Sequence, residues 1–325
     1  FVEDADKKKI SKSDAAKSGK PTDASYFYNK YGSDIVRLWV SSVDWQTEVP
    51  FGEDLFKQVA EPYRRLRNTL RILLGNLDGF DPAMDRVAAS HMPLLDQWIL
   101  ERLNNVVSEC SKAYDRYEFR KVFNELNQFC AAELSAVYID ATKDRMYCDA
   151  KNSVRRRASQ TAMYDVFSSL CRLLAPILAF TADEAWEHAP FTEGSVHEQD
   201  FPLPDPNFAS SEATKKVDRL MEIRRDVQTA IESQVQAKAF KKNNEAAVKL
   251  VVKEGEPVYS LLSDRDFACE FFIVSDFDVS AGSSPAVTVG KSDHPMCPRC
   301  RRYEPPAVND LCGRCDEVLK TVSRA

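Results

Sequence analysis

Four of the nine cysteines form two closely spaced pairs near the end of the printed chain. Cys297 and Cys300 are two residues apart, as are Cys312 and Cys315, and eleven residues separate the pairs. Two Cys-x-x-Cys knuckles can place four thiolates around one tetrahedral Zn²⁺, and such a site has no open position for a substrate. The spacing therefore predicts one structural zinc ion. The alternative is four thiols that bind no metal.

A run of cations lies close to the first residue, in the segment 7–13. Lysine is a compact charge with three donors, and the hydroxyls of Ser11 and Ser13 on either side of Lys12 can orient it and add donors. Such a segment suits phosphate oxygens. It could equally be a solvated charge run of the kind that is common in loops and tails.

A second basic segment has the periodicity of a helix. Apolar residues recur every three or four positions from Leu55 to Leu77, which predicts one amphipathic helix. Pro62 interrupts it, so we expect a kink or a new helix start there. Another face of this helix carries the polar residues Arg64, Arg65, Arg67, Asn68 and Arg71. They could follow a phosphate backbone, or they could be a solvated face paired with acids.

The elements that must position these residues are mostly helices. Ala24–Tyr31 and Asp34–Val40 are predicted short helices separated by Gly32, with Ser33 or Asp34 able to cap the second. Apolar stripes predict further helices near residues 94–114, 119–141, 154–175, 177–187 and 212–239. Those that end before residue 205 are expected to make an antiparallel bundle with its own core, and the helix 212–239 is expected to be part of a small appendage.

Three further features accompany the bundle. The segments Ala247–Val252 and Glu270–Val274 have the composition of strands and predict a small α/β appendage. A second local basic patch is expected at a turn of the bundle, made by Lys143, Arg145, Lys151, Arg155, Arg156 and Arg157. Arg299, Arg301, Arg302 and Arg314 make the cysteine segment basic as well, where they could balance thiolate charge or contact RNA.

Four ordered segments resemble class I aminoacyl-tRNA synthetases, and three of them point to the isoleucyl branch. Lys9-Ile10-Ser11-Lys12-Ser13 resembles the K-M-S-K-S signature of the class. Residues 30–40 are similar to the K-Y-G-A-D-x-L-R-L-W segment of that branch, and residues 63–71 to its Y-R-K-I-R-N-T-L-R helix. The two cysteine pairs look like its C-terminal zinc module.

This resemblance implies a mainly α fold with four parts. Residues 1–50 would be the end of a class I catalytic domain, and 51–205 a helical bundle of the anticodon-binding type. Residues 206–284 would be the small C-terminal α/β domain, and 285–325 the zinc knuckle module. The arginine helix would contact tRNA.

The resemblance also implies a reaction. The family activates isoleucine with ATP and Mg²⁺ and transfers the aminoacyl group to tRNA(Ile). A cation aimed at the departing pyrophosphate stabilises the transition state more than the ground state. By resemblance that cation is Lys12, an ATP-contacting and catalytic residue, with Lys9 second and Ser11 and Ser13 as supports. The family usually continues L-G-N after this loop, whereas Asp14-Ala15-Ala16 follows here.

Other features limit what this chain can do alone. The sequence has no His-x-Gly-His and no glycine-rich strand-turn-helix for ATP, so we expect a part of a longer enzyme that is inactive by itself. Nothing resembles an editing domain. One alternative is a tRNA-binding module without catalysis. The corresponding part of a valyl or leucyl enzyme is another, and a zinc-ribbon factor would explain residues 297–315 only.

Charge and composition restrict the partners. The formal net charge is −6, so an RNA site must be a local basic face on an acidic chain. The other five cysteines lie within apolar patterns and are predicted core residues of a reducing compartment. No apolar run is long enough for a membrane span, and no signal peptide is visible. We therefore expect a cytoplasmic monomer.

Overall fold

The structure is a computed structural model that describes residues 2–3, 9–10 and 23–322. It is mostly helical, as predicted. The helices are α1 (Ala24–Tyr31), α2 (Ser33–Ser42), α3 (Glu53–Asn76), α4 (Leu94–Asp115), α5 (Phe119–Gln128), α6 (Asp140–Cys148), α7 (Val154–Leu174), α8 (Ala179–Glu187), α9 (Glu212–Gln236), α10 (Tyr259–Ser263), α11 (Arg265–Phe272) and α12 (Gly313–Val322). The strands are β1 (Val2–Glu3), β2 (Val49–Pro50), β3 (Ala246–Lys253), β4 (Asp276–Gly282) and β5 (Ala286–Lys291).

Two compact units contain these elements. Unit 1 comprises Phe1–Arg86, Ile99–Ala136 and Gln160–Ala209. Unit 2 comprises Val87–Trp98, Val137–Ser159 and Ser210–Ala325. The four predicted domain ranges divide the chain differently and stay predictions. Among the described helices, none is both long and apolar enough to cross a membrane.

The first two helices of unit 1 confirm the prediction. Gly32 separates them with φ 96°, in the region that favours glycine. The ring of Phe27 stacks on Phe56 with centroids 4.5 Å apart, and Trp39 packs on the same ring at 5.1 Å. The capping prediction is wrong, because no side chain caps α2 at its own start. Asp34 bonds elsewhere in unit 1, to the start of α8.

Helix α3 runs unbroken through Pro62, so the predicted new helix start does not occur. A proline inside a helix costs about 3 kcal/mol. The apolar face of this helix buries Phe56, Leu66 and Leu70, each about 1% exposed. Each such side chain contributes roughly 1.5–3 kcal/mol on burial, so the buried stripe outweighs the proline.

Unit 2 contains a three-stranded sheet in the order β4-β3-β5. The central strand β3 confirms the prediction at Ala247–Val252 and pairs in parallel with β4 and antiparallel with β5. The strand predicted at Glu270–Val274 is wrong. Those residues begin inside α11, whose first turn is capped by Asp264 through a hydrogen bond from the Phe267 N–H.

The five scattered cysteines are core residues, as predicted. Each is less than 9% exposed, and none forms a disulfide: Cys110, Cys130, Cys148, Cys171 and Cys269. Burial raises the pKa of Cys110 and of Cys130 to about 12. These thiols therefore stay protonated at neutral pH and are poor nucleophiles.

Candidate metal centre and nucleic-acid interface

The two cysteine pairs meet in unit 2. The Sγ atoms of Cys297, Cys300, Cys312 and Cys315 all lie within 4.8 Å of one another. Cys300 Sγ and Cys312 Sγ are 3.7 Å apart. Tetrahedral zinc with Zn–S bonds of about 2.3 Å would place sulfurs about 3.8 Å apart. The donor set and its spacing could therefore hold one metal ion.

Local backbone structure presents these sulfurs. In the first pair, the Cys297 carbonyl accepts a hydrogen bond from the Arg301 N–H at 2.9 Å, which closes a tight knuckle. The second pair lies at the start of α12, where the Asp316 N–H bonds the Cys312 carbonyl at 3.0 Å. Cys315 is in the first turn of that helix. A helix N-terminus favours negative charge, so this position suits a thiolate.

Hydrogen bonds and one cation surround the sulfurs. Burial acts to raise the pKa of Cys297, but backbone N–H groups that include those of Cys312 and Cys300 lower it to about 6. Burial raises the pKa of Cys300 and of Cys312. Arg299 Nη1 donates to Cys315 Sγ at 3.3 Å. The cluster thus has donors and positive charge positioned for thiolates.

The arginines of the cysteine segment attach it to helix α6 of the same unit. Arg314 forms a bidentate pair with Asp144, with Nη2 2.8 Å from Oδ1. Burial acts to raise the pKa of Asp144, and the Arg314 hydrogen bonds overcome this and lower it. Arg299 Nη1 also donates to the Cys148 carbonyl at 2.7 Å. The contact with Cys315 favours the prediction that Arg299 balances thiolate charge, whereas Arg314 pairs with the carboxylate of Asp144 instead.

The predicted basic patch at the turn of the bundle is partly wrong. Arg145 is only 1% exposed and pairs with Asp96 and Glu270, so it is a core residue of unit 2. Arg155 pairs with Asp149 at 2.9 Å. Periodicity did not reveal these partners, because Asp96 and Glu270 are far from Arg145 in sequence.

The arginine face of α3 lies on unit 1. Arg64 Nη1 is 3.0 Å from Glu61 Oε2, and Arg67 Nη2 reaches both carboxylate oxygens of Glu184 at 2.7 and 2.8 Å. Arg64 and Arg67 thus have acid partners, which supports the alternative of a paired, solvated face. Glu184 comes from α8, so the sequence around α3 could not identify it.

The remaining residues of that face differ in how exposed they are. Arg65 is half-buried and donates to Asn127 Oδ1 at 3.2 Å. Asn68 and Arg71 are exposed. Asn68 lines a groove of about 650 Å³ together with Arg64, Arg67 and the 67% exposed ring of Phe180. The structure therefore brings three of the five predicted residues to one groove. Phe180 also lines this groove, but the sequence did not indicate it, because its neighbours are apolar and it was predicted to be a core residue.

The lysine loop is described only at one edge. Glu3 and Lys9 form an antiparallel bridge, and the Ile10 N–H donates to the Val2 carbonyl at 3.0 Å. Lys12, Ser11 and Ser13 lie outside the described residues. The ATP-contacting role of the loop therefore stays a prediction.

The sequence is similar to a known domain family and to longer proteins. Residues 96–250 match the family model described as the anticodon-binding domain of tRNA ligase. The isoleucine--tRNA ligase of Brevibacillus brevis is 40% identical, and that of Petrotoga mobilis is 36% identical. In each case the match covers 98% of this chain and 36% of the relative, so the chain spans about a third of the length of these proteins.

A solved structure is more distantly similar. It is the ternary complex of a LeuRS with tRNA and LeuAMS from Agrobacterium radiobacter K84, with a TM-score of 0.48, 14% identity, and coverage of 79% of this chain and 25% of that one. A similarity at that level says nothing about function. The family model and the relatives agree: the chain is similar to the C-terminal part of aminoacyl-tRNA synthetases, and the relatives that it matches over nearly its whole length are isoleucine--tRNA ligases.

Proposed function

We propose that this chain is the tRNA-binding part of an isoleucine--tRNA ligase and that its helices form the bundle that contacts the anticodon region of tRNA(Ile). The observation that carries this proposal is the 40% identity over 98% of the chain, together with the anticodon-binding model at residues 96–250. The exposed polar face of α3 supports it. Surface ion pairs contribute only about 0–1 kcal/mol, so RNA phosphates can compete with Glu61 and Glu184 for the arginines.

The chemistry belongs to the longer enzyme. We infer that it forms isoleucyl-adenylate from isoleucine and ATP with Mg²⁺ and transfers it to tRNA(Ile). This chain would contribute the lysine loop, with Lys12 on the departing phosphates and Lys9, Ser11 and Ser13 beside it. We expect the chain alone to bind tRNA without catalysing, which also satisfies the alternative of a binding module.

We further infer that Cys297, Cys300, Cys312 and Cys315 bind one structural Zn²⁺. The supporting observation is the approach of all four sulfurs to within 4.8 Å. Zinc with four thiolate ligands has no open position, so it would act on no substrate. Its contribution would be to close the knuckles and so to hold Arg299 and Arg314 against α6.

The experiment is a binding measurement on the zinc-loaded chain. Affinity for tRNA(Ile) is compared with affinity for tRNA(Val) and tRNA(Leu) across a salt series. Preference for tRNA(Ile), with a salt slope that corresponds to several phosphates, is the expected result. Equal affinity for the three tRNAs, or none, at full zinc content would contradict the proposal.

A further inference from the structure

A cavity of about 740 Å³ lies within unit 1, lined by residues of α4, of α7 and of the segment 191–208 that follows α8. Asn104 on α4 holds that segment in place. Its Nδ2 donates to the Asp205 carbonyl at 2.8 Å, and its Oδ1 accepts from the Asp205 N–H at 2.9 Å. We call this space the unit 1 cavity. Its volume is within the range of about 300–1,000 Å³ that is usual for ligand sites.

Arg172 gives one end of the unit 1 cavity a positive charge. Its Nε donates to the Ser168 carbonyl at 3.1 Å, and its Nη1 is 3.5 Å from the Asp200 carbonyl. In the part of the chain that the structure describes, this half-buried guanidinium forms no ion pair, and its Nη2 has no hydrogen-bond partner. Burial lowers the pKa of Arg172. A planar carboxylate matches such a group, because two N–H donors can bind its two oxygens.

Two carboxylates give the other end a negative charge. Asp165 forms a bidentate pair with Arg86, with N–O distances of 2.8 and 2.9 Å. Burial raises the pKa of Asp165, Arg86 acts against this rise, and the nearby charge of Asp205 adds to it. One arginine therefore serves two carboxylates, so a ligand cation would be favourable here. Glu193 also lines the cavity, but it is exposed to solvent.

The distance between the two ends follows from α7. Asp165 and Arg172 are seven positions apart on this helix, and a rise of 1.5 Å per residue separates them by about 10 Å along its axis. Apolar side chains line the space as well. They are Leu100, Leu103, Val107, Trp186, Phe191 and Phe208. The cavity therefore has opposite charges at its ends and an apolar wall.

We propose that the unit 1 cavity binds a short peptide that has apolar side chains and two free termini. The peptide carboxylate binds Arg172, and the peptide ammonium group binds Asp205 beside Asp165. Three extended residues span about 10 Å, so a tripeptide matches the separation of the charges. In a free amino acid the two charges are too close together. Leu203, which lines the cavity and is 87% exposed, would be covered by the bound peptide.

The test is calorimetric titration of the 325-residue chain, with zinc bound, with the tripeptide Leu-Gly-Leu. The comparison ligands are the N-acetylated tripeptide, the tripeptide amide and free leucine. Each lacks one charge or the spacing between the charges, so each should bind at least about tenfold more weakly. Binding should also change tryptophan fluorescence, because Trp186 lines the cavity.

Two variants assign the termini to their partners. Arg172→Gln should weaken binding of Leu-Gly-Leu about tenfold and remove the preference for the free carboxylate over the amide. Asp205→Asn should remove the preference for the free ammonium group over the acetylated form. Asparagine can still accept the hydrogen bond that Asp205 Oδ1 receives from the Asn207 N–H at 2.8 Å, so the local turn is kept. Thermal unfolding checks that both variants are folded.

Matched control variants lie elsewhere on unit 1. Arg116→Gln changes an exposed arginine, and Asp23→Asn changes an aspartate that accepts a capping hydrogen bond from the Ser25 N–H at 2.9 Å. Neither residue lines the cavity, so both variants should bind Leu-Gly-Leu as tightly as the unmodified chain.

Three results would overturn the proposal. The first is absence of Leu-Gly-Leu binding at millimolar concentration. The second is equal affinity for Leu-Gly-Leu and for its amide, its acetylated form or leucine, because the cavity would then not recognise two separated charges. The third is unchanged binding in Arg172→Gln and Asp205→Asn. Binding of tRNA(Ile) is measured on the same samples. The peptide site does not depend on it, so either function can fail while the other stands.

Discussion

Asp34 accepts two hydrogen bonds from Thr181, one from the backbone N–H at 2.7 Å and one from Oγ1 at 2.6 Å. It also accepts a bond from the Phe180 N–H at 3.3 Å. Phe180 and Thr181 are in the first turn of α8, where backbone N–H groups have no partner within the helix. A carboxylate on α2 therefore caps another helix of unit 1, at a residue 147 positions later in the chain.

Replacing this cap should destabilise unit 1. Asp34 is 5% exposed, so Asp34→Ala leaves buried N–H groups unsatisfied, at a cost of about 1–3 kcal/mol. We expect a lower thermal midpoint by circular dichroism. The matched control is Asp54→Ala, which removes an exposed carboxylate from the first turn of α3 and should change stability by no more than about 0.5 kcal/mol. Equal shifts for the two variants would show that Asp34 is not a cap.

Arg145 is the largest fully buried side chain of unit 2, and it bridges two carboxylates. Its Nη1 is 2.7 Å from Asp96 Oδ2, and its Nη2 is 2.9 Å from Glu270 Oε2. The Tyr138 hydroxyl donates to Asp96 at 2.6 Å. Arg145→Met would leave two carboxylates buried without their cation. Breaking a buried pair in this way costs about 3–5 kcal/mol.

The stability that Arg145→Met loses should depend on pH. Burial raises the pKa of Glu270 above its ordinary value of 4.5, and Arg145 acts against that rise. Without Arg145 the pKa rises further. A carboxyl whose folded pKa is raised contributes stability that is present below the unfolded pKa and is lost as pH rises through the folded pKa. The thermal midpoint of the variant, relative to the unmodified chain, should therefore be lower at about pH 8 than at about pH 5. A deficit that is equal at both pH values would contradict this.

Local sequence patterns predicted much of this fold. The period of apolar residues located the long helices, and Cys-x-x-Cys spacing identified the four sulfurs that meet in unit 2. The misplaced strand at Glu270–Val274 shows the limit of such patterns. A short apolar run such as Phe271-Phe272 fits a strand or a buried helix equally well. Here Asp264 caps the start of a helix, and the run lies at the end of that helix.

Partners distant in sequence were not predictable. Arg67 pairs with Glu184 and Arg145 with Glu270, so the charge of each arginine is neutralised by a residue more than a hundred positions away. A single sequence does not reveal such pairs. For the same reason, the sequence indicated the α3 arginines as an RNA site but could not identify Glu184, the partner of Arg67.

The pair Arg314–Asp144 should couple the cysteine segment to α6. Both side chains are about three-quarters buried, with 26% and 24% exposed. Asp144→Asn and Arg314→Gln, measured singly and together by thermal unfolding at full zinc content, should show a coupling of about 0.5–3 kcal/mol. Additive effects of the two substitutions would mean that the pair does not hold the segment. The control is the ion pair between Lys320 and Asp316 within α12, in which the lysine is exposed. Lys320→Gln and Asp316→Asn are measured singly and together in the same way.

Removal of metal should expose four thiols and no more. The chain has nine cysteines, of which five are buried core residues with raised pKa values and four form the cluster. With zinc bound, a thiol reagent should react slowly with all nine. A chelator should release one zinc ion per chain, make four thiols reactive and lower the thermal midpoint, because binding energy at a structural zinc site is folding energy. Cys312→Ser should lower the zinc content, whereas Cys171→Ala should keep it. Rapid reaction of the four thiols before chelation, or full zinc content in Cys312→Ser, would contradict a four-thiolate site.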